Sequence, residues 1–251
     1  MNTLPPHSQD RHVIALSGPD RIKFLQGLVS NDVSKLGDSA VYAALLTPQG
    51  KFMVDFFVIP QGDTMLIDVA ASEAPALLKR LTMYKMRSNV TLEMTDLIVS
   101  RGAGNTPKGT FADPRHAKMG WRAYDGRPSE DVDWDALRVQ HCVPETGIEL
   151  TPDTYLLEAG FERLHGVDFR KGCYVGQEIT ARMKHKTELR KGLTTVSIIG
   201  AAPIGTPLKT EDGKEAGTLF TQSGGKAIAH LRFDRAKGPM TAGDAQVTWD
   251  G

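Results

Sequence analysis

The sequence predicts an α+β fold that ends in a small antiparallel β-barrel. In the first hundred residues the strand-like segments are bunched between helices, rather than alternating with them as in a parallel array. After Lys191, short strand-like segments alternate with Gly-rich turns, which is typical of a small barrel. A stretch richer in Gly, Pro and charge lies between these parts. We therefore divide the chain into a first α+β module (1–100), a second one (101–188) that can interleave with it, and a C-terminal barrel (189–251).

Local patterns predict five strands and two helices in the first module. Residues 12–16 form a strand, and a helix follows that has an apolar stripe and ends at Ser30–Asn31. Ser17 and Asp20 have the spacing of a capping box at the start of this helix. A second helix begins at Ser72. The further strands are VYAALLT, KFMVDFFVI and TMLIDVA, which form an antiparallel meander, and VTLEM.

The rest of the chain is predicted to contain one further strand, two helices and the barrel. The strand is MGWRAY and the helices are DWDALRVQ and GQEITARM. The barrel strands are TTVSII, TPLKT, EAGTLF, KAIAHLRF and AQVTWD.

Composition argues against several classes of function. Thirty basic and thirty acidic residues give a formal net charge of zero, so we expect no direct nucleic-acid partner. The two cysteines, Cys142 and Cys173, form no C-x-x-C zinc motif and cannot supply the four thiolates of an iron–sulfur cluster, so we predict no metal site. No apolar run approaches the roughly 20 residues that span a bilayer, so we expect no membrane partner.

The first twelve residues, MNTLPPHSQDRH, contain neither the apolar region of a secretory signal nor an Arg-rich amphipathic helix. We therefore expect a soluble, cytoplasmic protein of a reducing compartment, and we expect it to be a monomer.

The stretch KGCYVGQE contains the main candidate for a reactive side chain. Cys173 follows Arg170 and Lys171 and precedes a predicted helix, and both cations and a helix N-terminus lower the pKa of a thiol. Gly172 and Gly176 permit a tight backbone that exposes a side chain. The residues alone leave open whether Cys173 is an activated thiol or a small buried side chain.

Two aspartates lie on predicted strands. Asp55 shares a strand face with Phe57 and Ile59, where a carboxylate needs a partner. A heterocycle with adjacent N–H donors, such as a pterin, is one candidate, and an edge position facing solvent or Lys51 is the alternative. Asp68 has the same pattern, and there we favour the alternative.

Simpler interpretations are favoured at four other positions. Arg138 is able to clamp a carboxylate, but a surface helical arginine is the simpler account. Glu178 and Arg182 have the spacing of a surface ion pair. His165 is interpreted as a loop histidine, and Cys142 as a small buried residue.

The stretch KGCYVGQE resembles the signature K-G-C-[FY]-x-G-Q-E of the YgfZ-type folate-binding proteins, which are relatives of the glycine-cleavage aminomethyltransferase (T-protein). The residues that match it are Lys171, Gly172, Cys173, Tyr174, Gly176, Gln177 and Glu178. The resemblance continues over FLQGLVSNDV, LLTPQGKFMVD, LRVQHCVPETGIEL and AIAHLRFD, and so spans nearly the whole chain.

This resemblance implies two ferredoxin-like modules and a β-barrel around a central, folate-sized opening. It also implies tetrahydrofolate-dependent assembly or repair of [4Fe–4S] enzymes, including radical enzymes that modify tRNA, with client enzymes and iron–sulfur assembly factors as partners. The cysteine needed for activity corresponds to Cys173, and we group Lys171 with it as catalytic. We assign tetrahydrofolate, or a derivative of it, to Asp55, Arg138 and Asn31.

The chain departs from T-protein at two acidic positions. In the G-x-x-x-D-D pattern only the second acid remains, as Asp55, and Val54 replaces the first. In the L-R-x-E-A-G pattern Arg138 remains, and Gln140 replaces the acid. These departures argue against aminomethyl transfer and are compatible with folate binding. The alternative functions are a folate-dependent one-carbon transferase that uses Cys173 and a non-catalytic adaptor regulated by folate.

Overall fold

The computed structural model describes residues 10–186 and 189–251, which belong to two compact units. Unit 1 is formed by Met1–Val132 and Glu162–Gln177, and unit 2 by Asp133–Phe161 and Glu178–Gly251. Most of the N-terminal stretch on which the expectation about targeting rests, residues 1–9, lies outside the described residues.

Unit 1 contains a five-stranded antiparallel sheet in the order β2-β3-β4-β1-β5. Every predicted strand of this region is confirmed. The strands are β1 (Arg11–Ser17), β2 (Val41–Leu46), β3 (Phe52–Gln61), β4 (Thr64–Ala70) and β5 (Thr91–Met94).

Two helices accompany this sheet, α1 (Arg21–Gln26) and α2 (Ala74–Lys85). Leu77 and Leu81 of α2 pack in the same apolar core as alternate residues of the strands, such as Val58. Helix α1 ends at Gln26, earlier than predicted. From that point on, a lysine side chain binds backbone carbonyls that a longer helix would have used, as described below.

A second, three-stranded sheet in unit 1 has the order β6-β8-β7. Its strands are β6 (Ser100–Gly102), β7 (Phe111–Ala112) and β8 (Trp121–Ala123). Only β8 was predicted, because the other two strands are short and lie in the Gly- and Pro-rich stretch.

Unit 2 contains helix α3 (Trp134–His141) and a closed antiparallel barrel with the strand order β10-β11-β12-β9-β14-β13. The barrel strands are β9 (Lys191–Ile199), β10 (Pro207–Thr210), β11 (Glu215–Ser223), β12 (Lys226–Arg232), β13 (Met240–Ala242) and β14 (Ala245–Thr248). Antiparallel pairing of β10 with β13 closes the barrel. Helix α4 (Gln177–Lys186) begins where unit 1 ends.

The α+β class and the C-terminal barrel are thus confirmed. Strand β13 was missed because it is only three residues long. The predicted division at 1–100, 101–188 and 189–251 stays a prediction. The two compact units follow other boundaries, since residues 162–177 return to unit 1.

Candidate functional site

The predicted site residues are divided between the two units. Residues 171–176, called the motif loop below, belong to unit 1 together with Asp55 and Asn31, whereas Arg138 and Glu178 belong to unit 2.

Lys171 is a buried cation bound to backbone carbonyl groups. Lys171 is 6% exposed. Its Nζ donates to the carbonyl oxygens of Gln26 and Asn31, each at 2.8 Å, and to that of Val29. Burial lowers the pKa of Lys171 to about 8, although nearby carboxylates oppose this effect. Because an ammonium group has three N–H donors, these bonds use all of them and tie the motif loop to the segment after helix α1.

The Asn31 side chain belongs to the same arrangement. Its Nδ2 donates to the carbonyl oxygens of Tyr42 at 2.8 Å and His165 at 2.7 Å. Its Oδ1 accepts from the backbone N–H of Asp32 at 2.8 Å. Both amide donors are bound to backbone, so a folate contact through them requires one of these bonds to break. The predicted folate role of Asn31 stays a prediction.

Cys173 is an exposed, free thiol in an irregular segment. The interpretation of Cys173 as a small buried residue is therefore wrong. Helix α4 begins four residues later, at Gln177. The hydrogen bonds of the Lys171 ammonium group anchor the motif loop, and the predicted catalytic role of Lys171 stays a prediction.

Gly176 fixes the far end of the motif loop against the turn between β2 and β3. Its φ is +81°, and a Cβ there would lie 2.5 Å from the Thr47 carbonyl oxygen and 2.9 Å from Leu46 Cβ. At Gly172 an added Cβ would have no atom within 4 Å. The tight backbone predicted from two glycines therefore exists at Gly176 alone.

Between Gly172 and Gly176, the Tyr174 side chain is buried. Its ring centroid lies 5.0 Å from Lys171 Nζ, within range of a cation–π contact.

Asp55 is buried, at 5% exposure, and accepts a hydrogen bond from the Tyr42 hydroxyl at 2.8 Å. The alternative that it faces solvent at a strand edge is wrong. Burial, and then the neighbouring Asp55 carboxylate, raise the pKa of Tyr42 well above its usual value. Whether Asp55 binds a pterin stays a prediction.

The same face of the sheet carries a buried layer of arginines around one aromatic ring. The guanidinium carbons of Arg122, Arg115 and Arg11 lie 3.6, 4.9 and 5.4 Å from the centroid of the Phe57 ring. Aspartates within the layer neutralise these cations. Asp113, for example, accepts two hydrogen bonds from the Arg115 side chain, at 3.0 and 2.8 Å.

Asp68 is a second carboxylate of this layer and is fully buried. It accepts from Arg11 Nε at 2.6 Å, Arg122 Nη1 at 2.9 Å and the Tyr124 hydroxyl at 2.8 Å. Burial alone would raise the pKa of Asp68, but Arg11 and Arg122 hold it below its usual range. The favoured interpretation of Asp68 as a strand-edge residue is therefore wrong.

Sequence reasoning missed the partners of these carboxylates. Arg115 lies in the chain before β8, Arg122 lies within β8, and Tyr124 directly follows that strand. The available signal was the pair of aspartates on apolar strands, because a carboxylate buried there requires cations from elsewhere in the chain.

Arg138 is 2% exposed, so the favoured interpretation as a surface arginine is wrong. It does clamp a carboxylate, but that carboxylate belongs to its own chain. Its Nη1 donates to Glu149 Oε2 at 2.9 Å, and its Nη2 donates to the Thr221 hydroxyl at 2.9 Å. Thr221 lies on β11, so these bonds join helix α3 to the barrel within unit 2. The predicted folate contact of Arg138 stays a prediction.

The remaining positions agree with the simpler interpretations. Glu178 accepts from Arg182 Nη2 at 2.9 Å, which is a surface ion pair. His165 lies exposed in a turn. Cys142 is buried against Ile228, as expected of a structural cysteine.

Neither a metal-binding cluster of side chains nor a membrane-spanning helix occurs in the part of the chain that the structure describes. Residues 10–186 and 189–251 contain no group of three or more His, Cys, Asp or Glu side chains placed to hold a metal ion. Within the same ranges, no helix combines the length and the apolar character needed to cross a membrane.

The contrast between the two glycines of the motif loop gives a prediction. We expect Gly176→Ala to lower the free energy of unfolding by about 2 kcal/mol or more, because it adds a strained φ and a clash with the Thr47 carbonyl. Gly172→Ala is the matched control and should stay within about 0.5 kcal/mol of wild type. Denaturant unfolding measures both values, and equal losses in the two variants would contradict the described packing of Gly176.

Comparison with known families and structures places the fold. Residues 190–250 match the family described as CAF17, C-terminal beta-barrel domain, and this range covers all six barrel strands. Aminomethyltransferase T of the glycine cleavage system from Bartonella henselae has a similar structure, with a TM-score of 0.75 over 96% of this chain and 82% of that one. The two sequences are 14% identical, so the likeness concerns the fold alone.

Sequence relatives carry the name of an iron–sulfur protein. The mouse protein named iron–sulfur cluster assembly factor IBA57, mitochondrial, is 31% identical over 92% of this chain and 78% of its own length. The human protein of that name is 29% identical with the same coverage. The Mycosarcoma maydis homologue is 33% identical, and the match spans 57% of its length.

These names overturn the expectation of a cytoplasmic location. The mouse, human and fungal relatives are all named mitochondrial, which points away from the cytoplasm. The expectation rested on the first twelve residues, whose composition is a weak guide to a protein's compartment.

The match to the mouse protein also settles the family. The resemblance drawn from KGCYVGQE is confirmed as far as iron–sulfur cluster assembly, and folate binding stays a prediction. With 31% identity across 78% of the mouse protein, this chain belongs to the IBA57 family of iron–sulfur cluster assembly factors.

Proposed function

We propose that this protein acts in the assembly or repair of [4Fe–4S] enzymes by presenting the Cys173 thiol to a partner that delivers or receives a cluster. The observation that carries the proposal is the exposure of Cys173 on a loop anchored at Lys171 and at Gly176. The relatives named as iron–sulfur cluster assembly factors support the same process here. Radical enzymes that modify tRNA are among the clients we propose.

The chemistry of sulfur explains how one exposed cysteine serves this function. A thiolate is a soft ligand for iron and a good nucleophile. A [4Fe–4S] cluster usually takes four thiolates, and the chain's other cysteine, Cys142, is buried. We therefore propose that the cluster is cargo and that the partner supplies its remaining ligands.

The anchoring of the loop favours such a transfer. A thiol on a flexible loop loses conformational entropy when a partner binds it, whereas an anchored thiol has lost most of that entropy on folding. In this proposal Lys171 holds the loop and Cys173 makes the contact with the cargo.

Replacement of the two cysteines tests the function. We expect Cys173→Ser to lower the activity of [4Fe–4S] enzymes by about tenfold or more in cells that carry it as their only copy, because a hydroxyl is a poor iron ligand and a weak nucleophile. The readouts are the activity of the [4Fe–4S] enzymes and the content of modified tRNA, with a [2Fe–2S] enzyme as reference.

Cys142→Ala is the matched control. It removes the chain's other thiol from a buried position and should leave the activity of the [4Fe–4S] enzymes close to wild type. Full activity in the Cys173→Ser variant would exclude a role for the thiol and would favour the adaptor function.

Tetrahydrofolate binding is the second part of the proposal. Asp55 is a buried carboxylate, which suits the adjacent N–H donors of a pterin, and its identified donor is the Tyr42 hydroxyl. At 5% exposure, Asp55 is reached by a pterin only after side chains around it move. The donors of Arg138 are bound to its own chain, so we do not include that residue.

Calorimetry tests the folate proposal. We expect tetrahydrofolate to bind wild type and to bind Asp55→Asn about tenfold or more weakly, because the amide presents an N–H group to the pterin where the carboxylate presents an acceptor. Glu178→Gln, at an exposed carboxylate, is the control and should bind as wild type does. The absence of heat with wild type at millimolar ligand would contradict folate binding, and unchanged affinity in Asp55→Asn would remove that residue from the site.

A further inference from the structure

We infer that the outward side of helix α2, together with the two residues that follow its end, is a docking surface for a protein partner whose own surface is acidic around an apolar centre. This surface, the basic–methionine face, consists of Lys79, Arg80, Met83, Met86 and Arg87. The inference deepens the proposed function in one respect, since the partner would belong to iron–sulfur cluster assembly.

The spacing along α2 separates this face from the core. Leu77 and Leu81 are buried and pack beneath the sheet of unit 1. Lys79, Arg80 and Met83 recur at intervals of three and four residues within α2, whereas Met86 and Arg87 follow directly after its last residue, and all five are exposed. Such intervals place side chains on one side of a helix. The helix thus has an inner leucine side and a separate outer side.

The outer side exposes unusually large apolar groups. Met83 is 66% exposed and Met86 is 86% exposed, and they are three positions apart. A single exposed methionine needs no explanation, but two that are this exposed and this close in the sequence, with basic residues on both sides, supply the apolar part of the proposed surface. Methionine is flexible and polarizable, and so it adapts to the shape of a partner.

Every charged side chain in this part of the chain is basic. Residues 74–92 contain Lys79, Arg80, Lys85 and Arg87 and no Asp or Glu, although the whole chain has thirty residues of each sign. None of these four cations forms an ion pair with a described residue. Solvated helices usually alternate charges and form i, i+4 pairs. An uncompensated positive face is complementary to an acidic partner.

The backbone at Met86 is a separate observation. Met86 follows the last residue of α2 and has φ 39° and ψ −102°, a conformation that side-chain-bearing residues rarely adopt. Strained backbone of this kind persists where the surrounding structure enforces it, and it is concentrated at functional positions. Here it occurs at the most exposed methionine of the face.

The observations favour a protein over a bilayer or a nucleic acid. A helix that lies on a membrane buries a broad apolar side in lipid, but the leucine side of α2 already faces the core. The basic–methionine face has no aromatic side chain on which a base could stack. A protein surface with an apolar centre and an acidic rim matches both methionines and cations.

Two double variants test the surface in cells that lack the wild-type protein. Arg80→Glu with Arg87→Glu reverses the charge, and Met83→Ser with Met86→Ser removes the apolar centre. Each should lower the restored activity of [4Fe–4S] enzymes at least fivefold while the thermal midpoint and the rate of Cys173 alkylation stay at wild-type values. The matched controls lie on the barrel at exposed positions, and they are Lys209→Glu with Lys226→Glu and Ile199→Ser with Ile204→Ser.

A photo-crosslinking residue at Ala76, which is exposed beside the face, identifies the partner. We expect one main adduct, with an acidic protein of iron–sulfur assembly, that is lost in both double variants, kept in both controls and absent when the crosslinker stands at Ile199. Full activity in both double variants, or an adduct that survives them, would overturn the inference.

Flotation with vesicles of phosphatidylcholine and cardiolipin tests the alternative that this face binds lipid. Binding by wild type that the charge reversal abolishes would assign the face to lipid and also overturn the inference. The proposed function fails separately, if Cys173→Ser retains full activity while the surface variants lose it.

Discussion

The Lys171 ammonium group, bound to three backbone carbonyls, is the contact on which the arrangement of the motif loop depends. Its hydrogen bonds join residues that are 140 to 145 positions apart in the sequence. The carbonyls belong to the last residue of helix α1 and to the chain just beyond it, where helical hydrogen bonding ends and these groups need other donors. One side chain therefore satisfies the end of a helix and fixes the start of the loop that carries Cys173. Gly176 fixes the other end by a close backbone approach that no larger residue permits.

Unit 1 also depends on charges that are buried on the face of its sheet that carries Asp55 and Phe57, opposite the face against which helix α2 packs. Removing an arginine or an aspartate from water costs free energy, and the cost is offset only when every charge has partners. Asp68 meets this condition with two arginines and a tyrosine. Burial acts to raise the pKa of Asp113, but Arg115 and Arg122 outweigh it and lower that pKa to about 2. The layer is therefore a structural requirement of unit 1. Asp55 belongs to the same network, because its charge helps to raise the pKa of Arg11 and of Arg115.

Local patterns were sufficient to predict the longer strands, the presence of the helices and the barrel, because alternation and helical periodicity reflect burial of one side of each element, whereas the two- and three-residue strands β6, β7 and β13 are too short to show such a pattern. The family resemblance identified Cys173 and its motif. The partners of Lys171, Asp68 and Arg138 could not be predicted, because they are far away in the sequence. Arg122 is 54 residues from Asp68, and Thr221 is 83 residues from Arg138. A single sequence does not contain that pairing, and so two buried ionic residues were interpreted as surface residues.

The central claim is that Lys171 holds the motif loop in place. Limited proteolysis with a protease of broad specificity, with cleavage followed within residues 171–176, tests it directly when wild type, Lys171→Met and the exposed-site control Lys118→Met are compared. The account predicts protection from cleavage in wild type and in the control, and a loss of protection of about tenfold or more in Lys171→Met with the sheet strands unaffected. Equal protection of the loop in all three proteins would contradict it.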